Sequence, residues 1–189
     1  LDRIFRDYKA RGRPAVYIDL GYWGRRKRTR FDGYHKLAVN SRHATAYFQN
    51  IKHPSDRFRH FGVEIMPWRK RGEHILLAGM SAKAAYAEGF SPEQWERETV
   101  ERLRKLTDRP IIYRPKPNWI GARPIPGTRM ERDVPLERSL INCHCAISHH
   151  SNVSIDALLS GVPATQPIYR ACARHLAESI ATLAQEASA

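Results

Sequence analysis

The stretch AISHHSNVSIDALLSGVPATQ, residues 146–166, changes character twice. The apolar run that closes at Ser148 suits a buried strand over residues 144–148. Residues 152–160 read as a helix, and Gly161 stands where a chain leaving a helix adopts positive φ. A further strand is expected over residues 162–166. Strand, helix and strand in succession predict a right-handed crossover and a parallel sheet. Between the first strand and the helix lie His149, His150, Ser151 and Asn152, and one acid, Asp156, sits a turn into the helix.

The same alternation extends upstream. HILLAGM (74–80) predicts a strand. SPEQWERETVERLRKLT (91–107) predicts a helix with Ser91 as cap, Pro92 at its first position and Gln94 closing a capping box. Trp95, Thr99, Leu103 and Leu106 are its expected buried stripe. PIIYR (110–114) predicts a strand, residues 115–127 a Pro- and Gly-rich loop, and PLERSLIN (135–142) a short helix. The tail over 170–187 is helix-compatible. Nearer the N-terminus, PAVYIDLGYWG (14–24) reads as a buried strand with a sharp exit at Asp19, and YHKLAVN and HATAYFQ as strands. The expected fold is therefore α/β. A Rossmann-like parallel sheet with flanking helices spans 73–189, preceded by the end of an incomplete N-terminal α/β domain over 1–72.

Charge divides the chain in the same place. The 189 residues carry a formal net charge of +13. Residues 1–74 hold 18 Lys/Arg against 7 Asp/Glu, whereas 75–189 hold 14 against 12. The peak is Arg25, Arg26, Lys27, Arg28 and Arg30, which read as a contact for a polyanion such as nucleic acid. A solvated basic loop accounts for the same residues. No apolar run approaches the ~18 residues of a membrane span, and no secretory signal opens the chain. The N-terminal Leu1 reads as an entry point inside a longer product. Three cysteines, Cys143, Cys145 and Cys172, argue for a reducing, cytoplasmic setting. Cys143-x-Cys145 lacks a usual zinc spacing, and both read as core; no metal is expected.

In an open parallel sheet, ligands bind beyond the carboxyl ends of the strands. The expected strand ends bring Ser81 and Lys83, then Arg114 and Lys116, then His149, His150, Ser151 and Asn152, then Thr165 and Gln166. Cations, hydroxyls and imidazoles on one edge suit an anionic, hydroxyl-rich ligand. The helix from Asn152 would present N–H groups to a phosphate. Asp156 reads either as an acid favouring the helix dipole or as an acceptor for a ribose diol. AGMSAK (78–83) lacks the ending of a P-loop, and no Gly-x-Gly-x-x-Gly occurs.

IIYRPKP (111–117) followed by SHHSNVSIDALLSGVPA (148–164) resembles the nucleotide-sugar half of GT-B glycosyltransferases. The combination is similar to capsule-polysaccharide transferases and, with YIDLGYWGR (17–25), to phage-encoded glycosyltransferase-like proteins. The resemblance covers about 75–166. It implies a nucleotide-diphospho-sugar donor, most simply a UDP-sugar, with no further cofactor. Arg114 and Lys116 would face the diphosphate, with Ser151 and Asn152 at the helix end. Ser81 and His150, at the same strand ends, are further candidates for holding the donor; the two histidines read as catalytic, as contacts for the donor's base, or as part of a capped turn near solvent. Asp156 stands where the family places a ribose-holding Glu, and is one methylene shorter. Asp19 would be the base that deprotonates an acceptor hydroxyl, and His149 a second catalytic group. A basic segment beside such a site implies DNA as acceptor, with a hydroxymethylated pyrimidine offering a primary alcohol in the host cytoplasm. The family pairs two full Rossmann domains, so this chain reads as a fragment. A non-catalytic nucleic-acid-binding module and a nucleotide-sugar epimerase of the same fold are the competing readings.

Overall fold

The computed structural model describes residues 2–21, 35–41 and 54–165. The chain divides into two compact units, Leu1–Phe61 and Gly62–Ala189. The expected strand HATAYFQ, the tail helix over 170–187, Gln166, Cys172 and the basic run from Arg25 to Arg30 lie outside the described residues.

In the first unit, helix α1 (Asp2–Ala10) precedes strands β1 (Val16–Leu20) and β2 (His35–Val39), and helix α2 (Asp56–His60) follows. The two strands pair antiparallel, Val16 opposite Val39 and Asp19 opposite Lys36. The expectation of a buried strand at 14–24 is corrected. Val16, Ile18 and Leu20 are exposed, as are Leu37 and Val39 across from them. A two-stranded ribbon has two faces, and the described residues of this unit are too few to cover both.

The second unit contains β3 (His74–Ala78), α3 (Ala82–Ala87), α4 (Gln94–Arg104), β4 (Ile111–Arg114), β5 (Arg129–Met130), α5 (Leu136–Leu140), β6 (Cys143–Ser148), α6 (Val153–Leu159) and β7 (Ala164–Thr165). The sheet runs β5-β4-β3-β6-β7, with every neighbouring pair parallel. This is the α/β, Rossmann-like sheet expected from the sequence. Its central strands are continuous apolar runs because helices cover both faces. Ile75, Leu77, Ile111 and Tyr113 pack with Ala85 of α3, Trp95 and Val100 of α4, and Ile125. Leu76, Ile112 and Ala146 pack on the opposite side with Leu140 of α5 and Ala157 of α6.

Several boundaries moved for local reasons. Helix α4 starts at Gln94, not Ser91, because Glu93 adopts a left-handed conformation with φ 59°. The Ser91–Gln94 contact still forms, with Ser91 N donating to Gln94 Oε1 at 3.1 Å. Leu106 lies beyond the helix and is 82% exposed, so the buried stripe stops at the partly buried Leu103. Gly161 has φ 69°, as expected, and a second constraint besides. A Cβ there would collide with the carbonyl of Pro67. The backbone beside it is engaged, Arg69 N donating to Gly161 O at 2.7 Å and Met66 N to Leu159 O at 2.8 Å. Residues 66–69 are therefore laid against the α6–β7 turn. This holds them in the second unit, although composition alone had placed them before residue 73.

Candidate functional site

Counted within the second unit, the strand order is 3-2-1-4-5. The chain winds one way from β3 and returns to wind the other way from β6. At such a reversal the connections leave on opposite faces, and a crevice opens beyond the carboxyl ends of the two central strands. Register sets its walls. Ala78, the last residue of β3, lies between Arg114 on β4 and Ser148 on β6.

The β3 wall is held from beneath. Gly79 N donates to Arg114 O at 2.9 Å and prolongs the pairing. Met80 N donates to Glu96 Oε1 at 2.6 Å. Glu96 is fully buried, and burial raises its carboxyl above the usual range against the opposing pull of the Met80 amide. Neither its Oε2 nor the equally buried Tyr113 Oη has a hydrogen-bond partner among the described residues. Burial, with Glu96 and Glu93 nearby, likewise raises the Tyr113 phenol. Ser81 serves as N-cap of α3, its Oγ accepting from Ala84 N at 3.2 Å.

On the β4 side, the half-buried Arg114 donates through Nη1 to Ser139 Oγ at 3.3 Å. Ser139 in turn donates to Glu131 Oε2 at 2.9 Å. Among the described residues no carboxylate pairs directly with Arg114, so its charge is braced by a hydroxyl rather than neutralised. Lys116 opens the following turn, its carbonyl accepting from Trp119 N at 2.9 Å. The long loop after it is ordered by charged groups. Arg132 donates to Trp119 O at 2.9 Å and Ala122 O at 3.1 Å. Glu93 accepts from Arg123 N at 2.7 Å.

At the β6 wall, the helix-end amides are already engaged. Ser151 N donates to Ser148 Oγ, and Val153 N to Ser151 Oγ, each at 3.3 Å. Ser154 N donates to Ser151 O at 3.2 Å, and Ser148 Oγ lies 2.9 Å from Ser154 Oγ. Asn152 makes no side-chain cap. A ligand phosphate would have to exchange for these long local bonds. Asp156 is half-buried in the first turn of α6, a helix of 7 residues.

The two histidines differ. His149 is 6% exposed, with its ring edge-on to Phe90 and Trp95 at centroid distances of 5.6 and 5.3 Å. Burial lowers its pKa, and Glu88 pulls the other way. Its Nδ1 lies 3.1 Å from Nδ1 of the half-buried His150.

The structure thus brings Ser81, Arg114, His149, His150, Ser151 and Asn152 to the carboxyl edge of one sheet, with Lys116 in the turn that leaves it. Asp19 belongs to the first unit. There its carboxylate meets Lys36 Nζ at 3.4 Å, Tyr17 Oη at 3.4 Å and Leu20 N at 2.8 Å. Arg25, Arg26, Lys27, Arg28 and Arg30 fall outside the described residues.

Sequence reasoning missed Glu96, Glu93 and Ser139. A signal existed for the first, since Glu96 lies three residues before Thr99 and four before Val100, on the buried stripe of α4. Cys143 is core, as expected, and burial pushes its thiol up to about 11. Among the described residues no helix is long and apolar enough to cross a membrane. In comparison with known proteins, no protein-family model and no curated protein matches the chain.

Proposed function

We propose that the second unit binds a nucleotide-diphospho-sugar at the reversal of its sheet, and that the chain is the donor-binding part of a glycosyltransferase. The observation that carries this reading is Arg114, a half-buried cation without a carboxylate partner among the described residues, one strand from the reversal. Sugar transfer requires departure of a nucleoside diphosphate. Fixed positive charge where negative charge develops lowers that barrier without reorganisation. In this reading Arg114 and Lys116 meet the diphosphate, and Asp156 accepts from the ribose hydroxyls. The basic run at Arg25–Arg30 supports a polyanionic acceptor such as DNA.

A panel of nucleotide-sugars tested by thermal shift on the wild type and on Asp156→Ala is the direct experiment. Ligand at a hundredfold over its Kd stabilises by about 2.7 kcal/mol. For a chain of this size that is a rise of roughly 5–10 °C. One donor should give such a rise, and Asp156→Ala should lose it. If no nucleotide-sugar moves the wild-type melt, the reading fails.

The excess charge of residues 1–74 also favours a second reading, a nucleic-acid-binding module without catalysis. Duplex affinity that falls steeply with salt, in a chain indifferent to nucleotide-sugars, would select it.

A further inference from the structure

We propose that His150 is the imidazole that meets the anionic oxygens of the ligand, and that His149 is its positioning residue, acting through the Nδ1–Nδ1 hydrogen bond. This rests on the reading that the crevice takes a diphosphate.

The geometry separates the two roles. His149 is wedged edge-on between Phe90 and Trp95, and at 6% exposure it has little surface to offer a ligand. Those two rings pack against its imidazole. Its Nδ1 faces Nδ1 of His150 at 3.1 Å, with the rings 89° apart. Because the Nδ1 atoms face each other, Nε2 of His150 is turned away from His149. Both residues follow directly on Ser148, which pairs with Ala78 at the reversal.

The chemistry of the contact adds a constraint. One Nδ1 must carry a proton and the other a lone pair, so the pair holds at most three protons on four nitrogens and at most one net positive charge. Burial of His149 favours its neutral form, and Glu88 is the described charged group that acts on it. Two arrangements then leave Nε2 of His150 as a donor. In the first, neutral His149 donates from Nδ1 and neutral His150 carries its proton on Nε2. In the second, neutral His149 accepts at Nδ1 and His150 is the imidazolium. The remaining neutral arrangement points a lone pair from Nε2, which an anion disfavours. An anion therefore selects the first two, and His149 supplies what each needs.

The test is a double-mutant cycle on the full chain, read by calorimetric titration with inorganic pyrophosphate and with UDP, GDP and ADP. His149→Phe keeps the aromatic edges and removes the nitrogen. His149→Asn returns an amide near Nδ1. His150→Ala removes the ligand-side imidazole. We expect His149→Phe and His150→Ala each to weaken pyrophosphate about tenfold or more. The double variant should bind no more weakly than His150→Ala alone, and His149→Asn should recover most of the loss. A merely structural His149 gives losses that add. Additive losses, or wild-type affinity in His149→Phe, overturn the proposal while wild-type binding of a nucleoside diphosphate upholds the site. If His149→Phe does not fold, the cycle runs on His149→Ala, with the same criterion of additivity. A wild type that binds neither pyrophosphate nor any of the three nucleotides overturns the site and the pair together.

Discussion

Glu96 of α4 accepts the amide of Met80 at 2.6 Å and so ties a helix on one face of the sheet to the exit of its central strand. The bond lies just past the carboxyl end of β3, at the reversal of the sheet. It costs the protein a buried carboxylate whose second oxygen has no partner among the described residues. Two consequences of that arrangement can be measured.

The first concerns pH. Burial raises the Glu96 carboxyl above its usual 4.5. Below 4.5 the folded and unfolded chains both hold the proton, and ionisation costs nothing. As pH rises through 4.5 the unfolded chain releases its proton first. Stability is then lost until the folded carboxyl also titrates, at about 1.4 kcal/mol for each unit separating the two values. Glu96→Gln keeps an acceptor for Met80 and removes the ionisation. It should melt above the wild type at pH 7, and the gap should close on acidification towards pH 4. Glu96→Ala, which orphans the amide and opens a cavity, should cost about 2–4 kcal/mol near pH 4 and less at pH 7, where it also removes the penalty of ionising the buried carboxyl. A Glu96→Gln variant less stable than wild type at pH 7 would refute the account.

The second concerns Gly79. A Cβ at this position would stand 2.8 Å from Tyr113 Cε2, 3.1 Å from Tyr113 Oη and 3.2 Å from Glu96 Oε1. All three neighbours are packed core and cannot give. Gly79→Ala should cost about 1–3 kcal/mol by overpacking, a fall of roughly 2–12 °C in Tm. Tyr113→Phe removes a buried hydroxyl without a partner among the described residues, and should leave Tm unchanged or raise it. A loss above ~1 kcal/mol in Tyr113→Phe would show that the hydroxyl is satisfied by bound water.

What the sequence made legible follows from the same physics. HILLAGM, PIIYR and HCAIS are continuous apolar runs, and strands covered on both faces have to be. Two-residue β5 carries no periodicity, so Arg129–Met130 could not be found. Glu96 was hidden because charge argues for the surface, although its spacing placed it with Thr99 and Val100. The candidate edge was legible as a set of strand ends. Its internal bonding was not. Ser81 and Ser151 are polar residues at helix starts, and only coordinates show that their hydroxyls are occupied by backbone amides.

Acidification should find His149. Burial holds its pKa below the usual 6.5. Above 6.5 the ring is neutral in both states. As pH falls through 6.5 the unfolded chain takes up a proton that the folded chain refuses, so stability declines until the folded ring titrates. His149→Phe keeps the packing against Phe90 and Trp95 and has nothing to titrate. Urea midpoints at pH 7.5 and pH 5.5 should differ more for wild type than for His149→Phe. Equal differences would mean that His149 is not held neutral by the fold.

The loop after β4 should be ordered by Arg132 rather than by its own sequence. Its guanidinium holds Trp119 O and Ala122 O, and Glu93 holds Arg123 N from the other side. Arg132→Met keeps the stem and drops both bonds. Because the strands are untouched, global stability should fall by no more than about 1–2 kcal/mol. Hydrogen–deuterium exchange over residues 117–124 should rise at least tenfold, with β3 and β6 unchanged. Exchange that rises equally in β3 and β6 would show that the loop is part of the core.

Arg114 gives the sharpest separation of binding from stability. Its one described side-chain bond is 3.3 Å, to Ser139 Oγ, and it forms no ion pair among the described residues. Removing the cation leaves no carboxylate unpaired, so Arg114→Met should move Tm by less than a few degrees. A diphosphate that uses the guanidinium would lose charge-assisted hydrogen bonds of about 1.5–3 kcal/mol, a tenfold to hundredfold weaker Kd. Arg114→Lys keeps the charge but not the planar fork, and should fall between the two. A lysine variant as weak as the methionine variant assigns the recognition to fork geometry. Unchanged affinity in both variants would remove Arg114 from the site, and with it the observation on which the proposed donor binding stands.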